Sequence, residues 1–240
     1  MQIETHSRPI WVTPTVTIQL KDCESLNERL TTIILEEERK LAGKKGATPV
    51  AGVEDGLTAY WLKYNVLNWV YPEISEFREY VMTGINEFFK LLGDPNEPGM
   101  TVSGISCWAN VLRPGQALQL HHHDPAFLSA HYIVRSGHED DTSNDSGDSG
   151  HTVYFRPGFL DRSHGGKSAM MPSPWDQDWR ISVRATAGKL FFFPSYVRHE
   201  VRPYAGKTYR ISIAMDIFVK MQEYPIYFGG SRWYVPKIPR

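Results

Sequence analysis

The sequence predicts a mainly β fold with flanking α-helices, a two-sheet jelly roll with N-terminal helical support, and three observations carry that prediction. From about Val102 the chain breaks into short apolar segments separated by turn residues, the pattern of an all-β sandwich or barrel. Ahead of that point, two stretches repeat apolar residues at helical spacing. The third observation is size: 240 residues, 41% hydrophobic and 12% aromatic, hold enough material for one large core without a second one. The whole chain, 1–240, is therefore expected to be one domain, with 1–100 as strand and helical support, 101–240 as the β core, and a loop insertion at about 136–180.

In chain order, Trp11 to Leu20 alternates roughly as a leading strand. Ser25-Leu-Asn-Glu28 has the form of a capping box, in which a hydroxyl and a carboxylate satisfy backbone donors reciprocally, and it is expected to start a helix carrying Leu26, Leu30, Ile33 and Ile34 on one side. A Gly-rich stretch from Gly43 to Gly56 ends it. A second helix follows from Ile74, Phe77, Val81, Ile85, Phe88 and Leu92, with Gly93 placed to stop it. These apolar stripes face a core and are not cofactor sites.

The expected strands are Ser106–Leu112, Ala117–His123, Leu128–Arg135, Thr152–Phe155, Ile181–Ala185, Lys189–Phe193 and Tyr209–Val219. Arg113-Pro-Gly115 and Arg202-Pro-Tyr-Ala-Gly206 are turn signals between them. Residues 136–150 are acidic and rich in small residues, the composition of a surface loop, and no EF-hand spacing accompanies the acids. The segment from Gly158 to Trp179, with Arg162, His164, Lys167, Trp175 and Trp179, is a candidate substrate lid. The aromatic run from Tyr224 to Tyr234 suits packing onto the barrel or a homodimer contact.

Charge and cysteine content narrow the function classes. A net charge of −1 gives no general attraction to nucleic acid or to an anionic membrane, which counts against DNA repair. Two cysteines, Cys23 and Cys107, form neither a disulfide framework nor a thiolate metal site. With no signal-peptide pattern at Met1 and no run of ~18 apolar residues, the expectation is a cytoplasmic protein that does not enter the membrane.

The chemistry concentrates at His121-His122-His123-Asp124 and His199. Side chains two apart on a strand share a face, so His122 and Asp124 are expected to project together while His121 and His123 point the other way. His199, just after the apolar run Phe191-Phe-Phe-Pro194, supplies a third donor from a distant strand. Two imidazoles and one carboxylate form the facial triad of non-haem iron(II) sites, which leaves three coordination positions open for a bidentate oxo-acid and dioxygen. Arg210 and Ser212, two apart on one strand, suit a carboxylate: a guanidinium fork can bind it bidentately and a hydroxyl can add a hydrogen bond. His121, His123 and His131 are expected in supporting roles.

With these residues in view, the segment from Gly104 to Asp216 resembles the 2-oxoglutarate and iron(II)-dependent oxygenases, especially small bacterial and phage-type members. The resemblance rests on Trp108-Ala-Asn-Val-Leu-Arg-Pro-Gly115, His122-His-Asp-Pro125, Leu128-Ser-Ala-His-Tyr-Ile-Val134, Gly188-Lys-Leu-Phe-Phe-Phe-Pro-Ser195, His199 and Arg210-Ile-Ser212. It implies a double-stranded β-helix. It also implies that His122, Asp124 and His199 bind Fe(II) and act as the catalytic centre, and that Arg210 and Ser212 hold the distal carboxylate of 2-oxoglutarate. Asn110 matches a carboxylate-binding Asn of DNA-dealkylating relatives, and an Asn bridging strands explains it as well. Many relatives carry His where this chain has Asp124 and Gly where it has Ala130. A carboxylate at 124 argues against halogenation, because the related halogenases lack it.

The implied reaction consumes O2 and 2-oxoglutarate, releases succinate and CO2, and oxidises a substrate C–H bond by hydroxylation, desaturation, cyclisation or oxidative dealkylation. A small molecule, such as an amino acid or specialised metabolite, is the expected substrate. A protein side chain and a non-catalytic, cupin-like metal or ligand-binding module are the alternatives. Arg210 and Ser212 favour the enzyme, since a simple metal binder needs no carboxylate clamp.

Overall fold

The computed structural model describes residues 13–41, 57–58, 64–92, 101–138, 147–157 and 180–220. The Gly-rich stretch, Gly93, most of the acidic loop, the candidate lid and the aromatic C-terminus lie outside the described residues. Nine strands and two α-helices follow in the order β1 (Val16–Gln19), α1 (Glu24–Arg39), α2 (Pro72–Leu92), β2 (Thr101–Leu112), β3 (Leu118–His121), β4 (Leu128–Arg135), β5 (Thr152–Phe155), β6 (Arg180–Val183), β7 (Lys189–Pro194), β8 (His199–Val201) and β9 (Arg210–Lys220) among the described residues. A 3-10 turn, Val66–Asn68, precedes α2, capped by the Asn65 side chain, which accepts a hydrogen bond from the Leu67 amide at 3.0 Å.

Two antiparallel sheets form the double-stranded β-helix. The major sheet has the order β1-β7-β4-β9-β2 and the minor sheet β3-β8-β5-β6. The major sheet is covered by helices on one face, and period-two alternation sorts its side chains accordingly. On β9, Ile211, Ile213, Met215 and Ile217 pack with Leu26, Leu30 and Ile34 of α1 and Phe77, Val81 and Ile85 of α2. Arg210, Ser212, Ala214, Asp216 and Phe218 of the same strand line a cavity on the other face. The helical stripes read from the sequence are thus the cover of the sheet, and Leu30, Ile34, Phe77 and Ile85 are fully buried.

Several element ends differ from expectation. α1 begins one residue ahead of Ser25, with Cys23 at the N-cap and no side-chain cap. Ser25 lies inside the helix and accepts from Arg29 Nη1 at 2.6 Å, so the Ser25–Glu28 capping box is not formed. β2 starts at Thr101, because its pairing with β9 runs unbroken in length from Thr101–Lys220 to Leu112–Arg210, apart from a shift between Val102 and Gly104. β8 is three residues long and was not expected as a strand, since it is too short to show a period. The Arg113-Pro-Gly115 turn forms as predicted: Gly115 has φ 88°, a left-handed conformation that suits glycine, and the Gln116 amide donates to the Arg113 carbonyl at 3.0 Å. Among the described residues no helix is long and apolar enough to cross a membrane.

Candidate iron and co-substrate site

The site lies between the sheets in a cavity of about 300 Å³. Its metal end is built by β3, the segment after it, and β8. His121 pairs with His199 across the β3–β8 ladder, whereas Leu118 pairs with Val201. Three steps on β3 therefore oppose two on β8: β3 carries a β-bulge. The extra residue inverts the phase of everything after it. Leu118 is buried against Leu112 and Val201, Leu120 is exposed, and His121 and His123 turn inward in its place.

This bulge decides which histidines meet. Among the described residues, His121, His123 and His199 bring one ring nitrogen each within 4.8 Å of one another. The structure does not bring His122 and Asp124 to His199: these two, with side chains 44% and 57% exposed, pair with each other at 3.3 Å (His122 Nδ1 to Asp124 Oδ2) at the rim of the same cavity. The strand alternation was sound, but it was counted through a strand that contains one residue too many.

The rings of the inner group are held in matching orientations. His121 Nδ1 lies 2.6 Å from the Gln119 carbonyl, His199 Nδ1 lies 3.1 Å from the Val197 carbonyl, and His123 Nδ1 lies 3.0 Å from Asp216 Oδ1. Each of these partners is an acceptor, so in its neutral form each ring carries its proton on Nδ1 and presents a lone pair at Nε2. His123 Nε2 and His199 Nε2 then face one another at 3.3 Å. Two lone pairs that close repel unless a proton or a metal ion lies between them. Metal–imidazole bonds of about 2.1 Å at right angles place adjacent nitrogens about 3 Å apart, so the group fits a metal ion. Burial holds His199 well below the ordinary histidine range and His121 down to about 4, with the neighbouring His123 adding to the effect on His121, so both stay neutral and ligating near pH 7.

Around the group the walls are aromatic. Tyr154 stacks on His199 with centroids 5.6 Å apart, Phe193 meets it edge-on at 4.8 Å, and Trp108 lies 5.6 Å from His123. Behind them His131, buried and pushed down to about 3 by that burial, contacts the Tyr154 hydroxyl at 3.1 Å. Burial raises the Tyr154 phenol well above its usual value, so the hydroxyl keeps its proton.

The other end belongs to β9 and β2. Arg210 is 1% exposed; its Nε donates to the Gly150 carbonyl at 3.0 Å and its Nη1 to Ser212 Oγ at 3.2 Å. Among the described residues no carboxylate pairs with it, and a buried guanidinium without a counter-charge is costly. Burial lowers it only to about 10, so it remains a cation. Asn110 pairs with Ser212 on the neighbouring strand, lines the same cavity, and leaves its buried Oδ1 without a hydrogen-bond partner. A buried cation and a hydroxyl on one wall fit a carboxylate, to which Asn110 can donate only through its Nδ2, since its unpaired Oδ1 is an acceptor. All three predicted residues of this clamp are brought together; His199 alone of the predicted iron ligands joins the inner group.

Residues 106–216 match the family described as Putative 2OG-Fe(II) oxygenase. No curated protein matches the chain. Solved structures share its fold at low identity. AviO1 from Streptomyces viridochromogenes Tue57 has 12% identity and a TM-score of 0.52, covering 89% of this chain and 92% of that one. A prolyl hydroxylase in complex with a hypoxia inducible factor oxygen degradation domain peptide fragment, from Trichoplax adhaerens, has 14% identity and a TM-score of 0.51, covering 85% and 83%. The non-heme alpha ketoglutarate dependent carbocyclase SnoK from nogalamycin biosynthesis has 14% identity and a TM-score of 0.50, covering 85% and 79%. The family uses Fe(II), 2-oxoglutarate and O2. Over residues 106–216, somewhat less than half of the chain, the sequence is thus similar to the 2OG-Fe(II) oxygenases, a family of oxidoreductases.

Proposed function

We propose that the chain oxidises a C–H bond of a small molecule, with His121, His123 and His199 holding iron(II) and Arg210, Ser212 and Asn110 holding 2-oxoglutarate. The observation that carries this reading is the shared cavity: converging Nε2 atoms at one end and a buried, uncompensated guanidinium at the other. A dicarboxylate can chelate metal with its oxo-acid end while Arg210 and Ser212 receive its far carboxylate. Iron, when bound, supplies oxygen activation coupled to decarboxylation of the co-substrate. The chain's own residues position the reactants and exclude water: the three Nδ1 acceptors fix the imidazoles, while Tyr154, Phe193 and Trp108 form dry walls around them.

A cavity of about 300 Å³ lies at the lower end of the range for small-molecule sites and supports a metabolite over a folded protein partner. A second ligand reading, His122 and Asp124 with His199, keeps one observation in its favour: both side chains reach the rim of the same cavity. Anaerobically purified protein given iron(II) and labelled 2-oxoglutarate, then air, should release labelled succinate, with further release on adding the true substrate. Absence of both metal uptake and succinate would overturn the proposal. Screening metabolite pools against peptide pools by the product's mass shift separates a small-molecule substrate from a protein side chain.

A further inference from the structure

The three histidines differ in what holds them. His121 and His199 lean on backbone carbonyls, of Gln119 and Val197, which no substitution at those positions removes. His123 alone leans on a side chain, Asp216, at 3.0 Å. Asp216 is 7% exposed and sits on β9 opposite Ser129 of β4, whose hydroxyl donates to the same oxygen, Oδ1, at 3.2 Å. A carboxylate buried between two sheets is expensive unless it accepts hydrogen bonds, and these two donors supply them. Asp216 also shares its strand face with Arg210 and Ser212, so one strand anchors the metal end and clamps the co-substrate end.

We infer that Asp216 is a positioning residue that fixes His123 with its proton on Nδ1, aims Nε2 into the inner group, and supplies through that imidazole the negative charge that no direct ligand provides. The inference rests on the reading of His121, His123 and His199 as the metal ligands. Three neutral imidazoles leave a divalent ion's charge uncompensated by its direct ligands. A carboxylate one hydrogen bond away raises the donor strength of the imidazole it holds, and loss of such partners costs about 10–100-fold in metal affinity. Asparagine at 216 keeps an acceptor but removes the charge, whereas alanine removes both, so the two substitutions separate charge from orientation.

The test is an anaerobic cobalt(II) titration of the full chain, followed by the visible absorption of the bound ion, with circular dichroism reporting the fold. Asp216→Asn should weaken cobalt(II) binding about tenfold or more and Asp216→Ala further, each with an unchanged spectrum of secondary structure; the order wild type, Asn, Ala is a signature that a merely structural role does not give. His121→Ala is the control for the underlying reading. If His121→Ala binds cobalt(II) like the wild type, the ligand set is wrong; if His121→Ala loses binding while Asp216→Asn does not, the set stands and the inference about Asp216 falls. Should the Asp216 variants fail to fold, nitrogen-15 NMR of the metal-free wild-type chain decides: the proton of His123 on Nδ1 is the expected result, and the proton on Nε2 overturns the inference.

Discussion

The two strands that frame the cavity are built differently. β9 lies inside the major sheet, paired with β2 on one side and β4 on the other, and its site residues Arg210, Ser212 and Asp216 repeat every second or fourth position without interruption. β3 is a four-residue edge strand with one neighbour, β8, and a bulge before its histidine. A strand held on both sides has its inward face fixed by the pairing of its neighbours; an edge strand can gain a residue and reverse its face at little cost to the sheet. The proposed carboxylate clamp is therefore the part of the cavity that the fold specifies most firmly, and the proposed metal end depends on one local irregularity.

The strongest way to break the clamp is Arg210→Met, which keeps the stem and removes the charge. Charge-assisted hydrogen bonds contribute about 1.5–3 kcal/mol, so 2-oxoglutarate affinity measured by calorimetry on the cobalt(II)-loaded chain should fall about tenfold to hundredfold while cobalt(II) affinity alone stays near the wild-type value. Equal losses of both would mean that the two ends are not independent.

Deleting Leu120 probes the bulge itself. Removing the one extra residue leaves His121 opposite His199 and Leu118 opposite Val201, so the inward phase of His121 and His123 survives and metal affinity should change by no more than a few-fold. If β3 were a regular strand presenting His122 and Asp124, the same deletion would turn its ligands outward and abolish binding.

The smallest expected effect is a pH slope. Burial holds His131 down to about 3, so between that value and the ordinary 6.5 the unfolded chain binds a proton that the native chain does not. Stability of the metal-free protein is then fully present above about 6.5 and is lost as the pH falls through this window, and the buried His121 and His199 act in the same direction. Melting temperature should drop from pH 7 to pH 4.5, and His131→Gln, which keeps a hydrogen-bonding group for Tyr154 but does not titrate, should flatten part of the drop. An unaltered slope would show that His131 is not held neutral.

The same contrast between strands explains what was legible in the sequence. α2 and β4 were visible because long or strongly apolar segments show their period: Phe77, Val81 and Ile85 fall on the sheet, and β4 runs from Leu128 to Arg135 as expected. Arg210 and Ser212 share the cavity face as expected because β9 is regular. The inner histidines were not, because three consecutive histidines offer a ligand in either phase, and nothing in Gln119-Leu120 marks a bulge. The two leucines at 118 and 120 even favour the wrong phase, since both look like inward positions. Asp216 was missed as a partner of His123, although its even spacing from Ser212 on a regular strand already placed it on the site face. The Ser25–Glu28 pattern failed for a different reason: Cys23 starts α1 early, which leaves Ser25 to be bound by Arg29.

The central claim is that iron is held by the histidines the bulge turns inward. It is tested most directly by anaerobic iron(II) titration of two double variants, His121→Ala with His123→Ala, and His122→Ala with Asp124→Ala. Loss of iron binding in the first pair and near wild-type binding in the second is the predicted result. Retention in the first and loss in the second would contradict it.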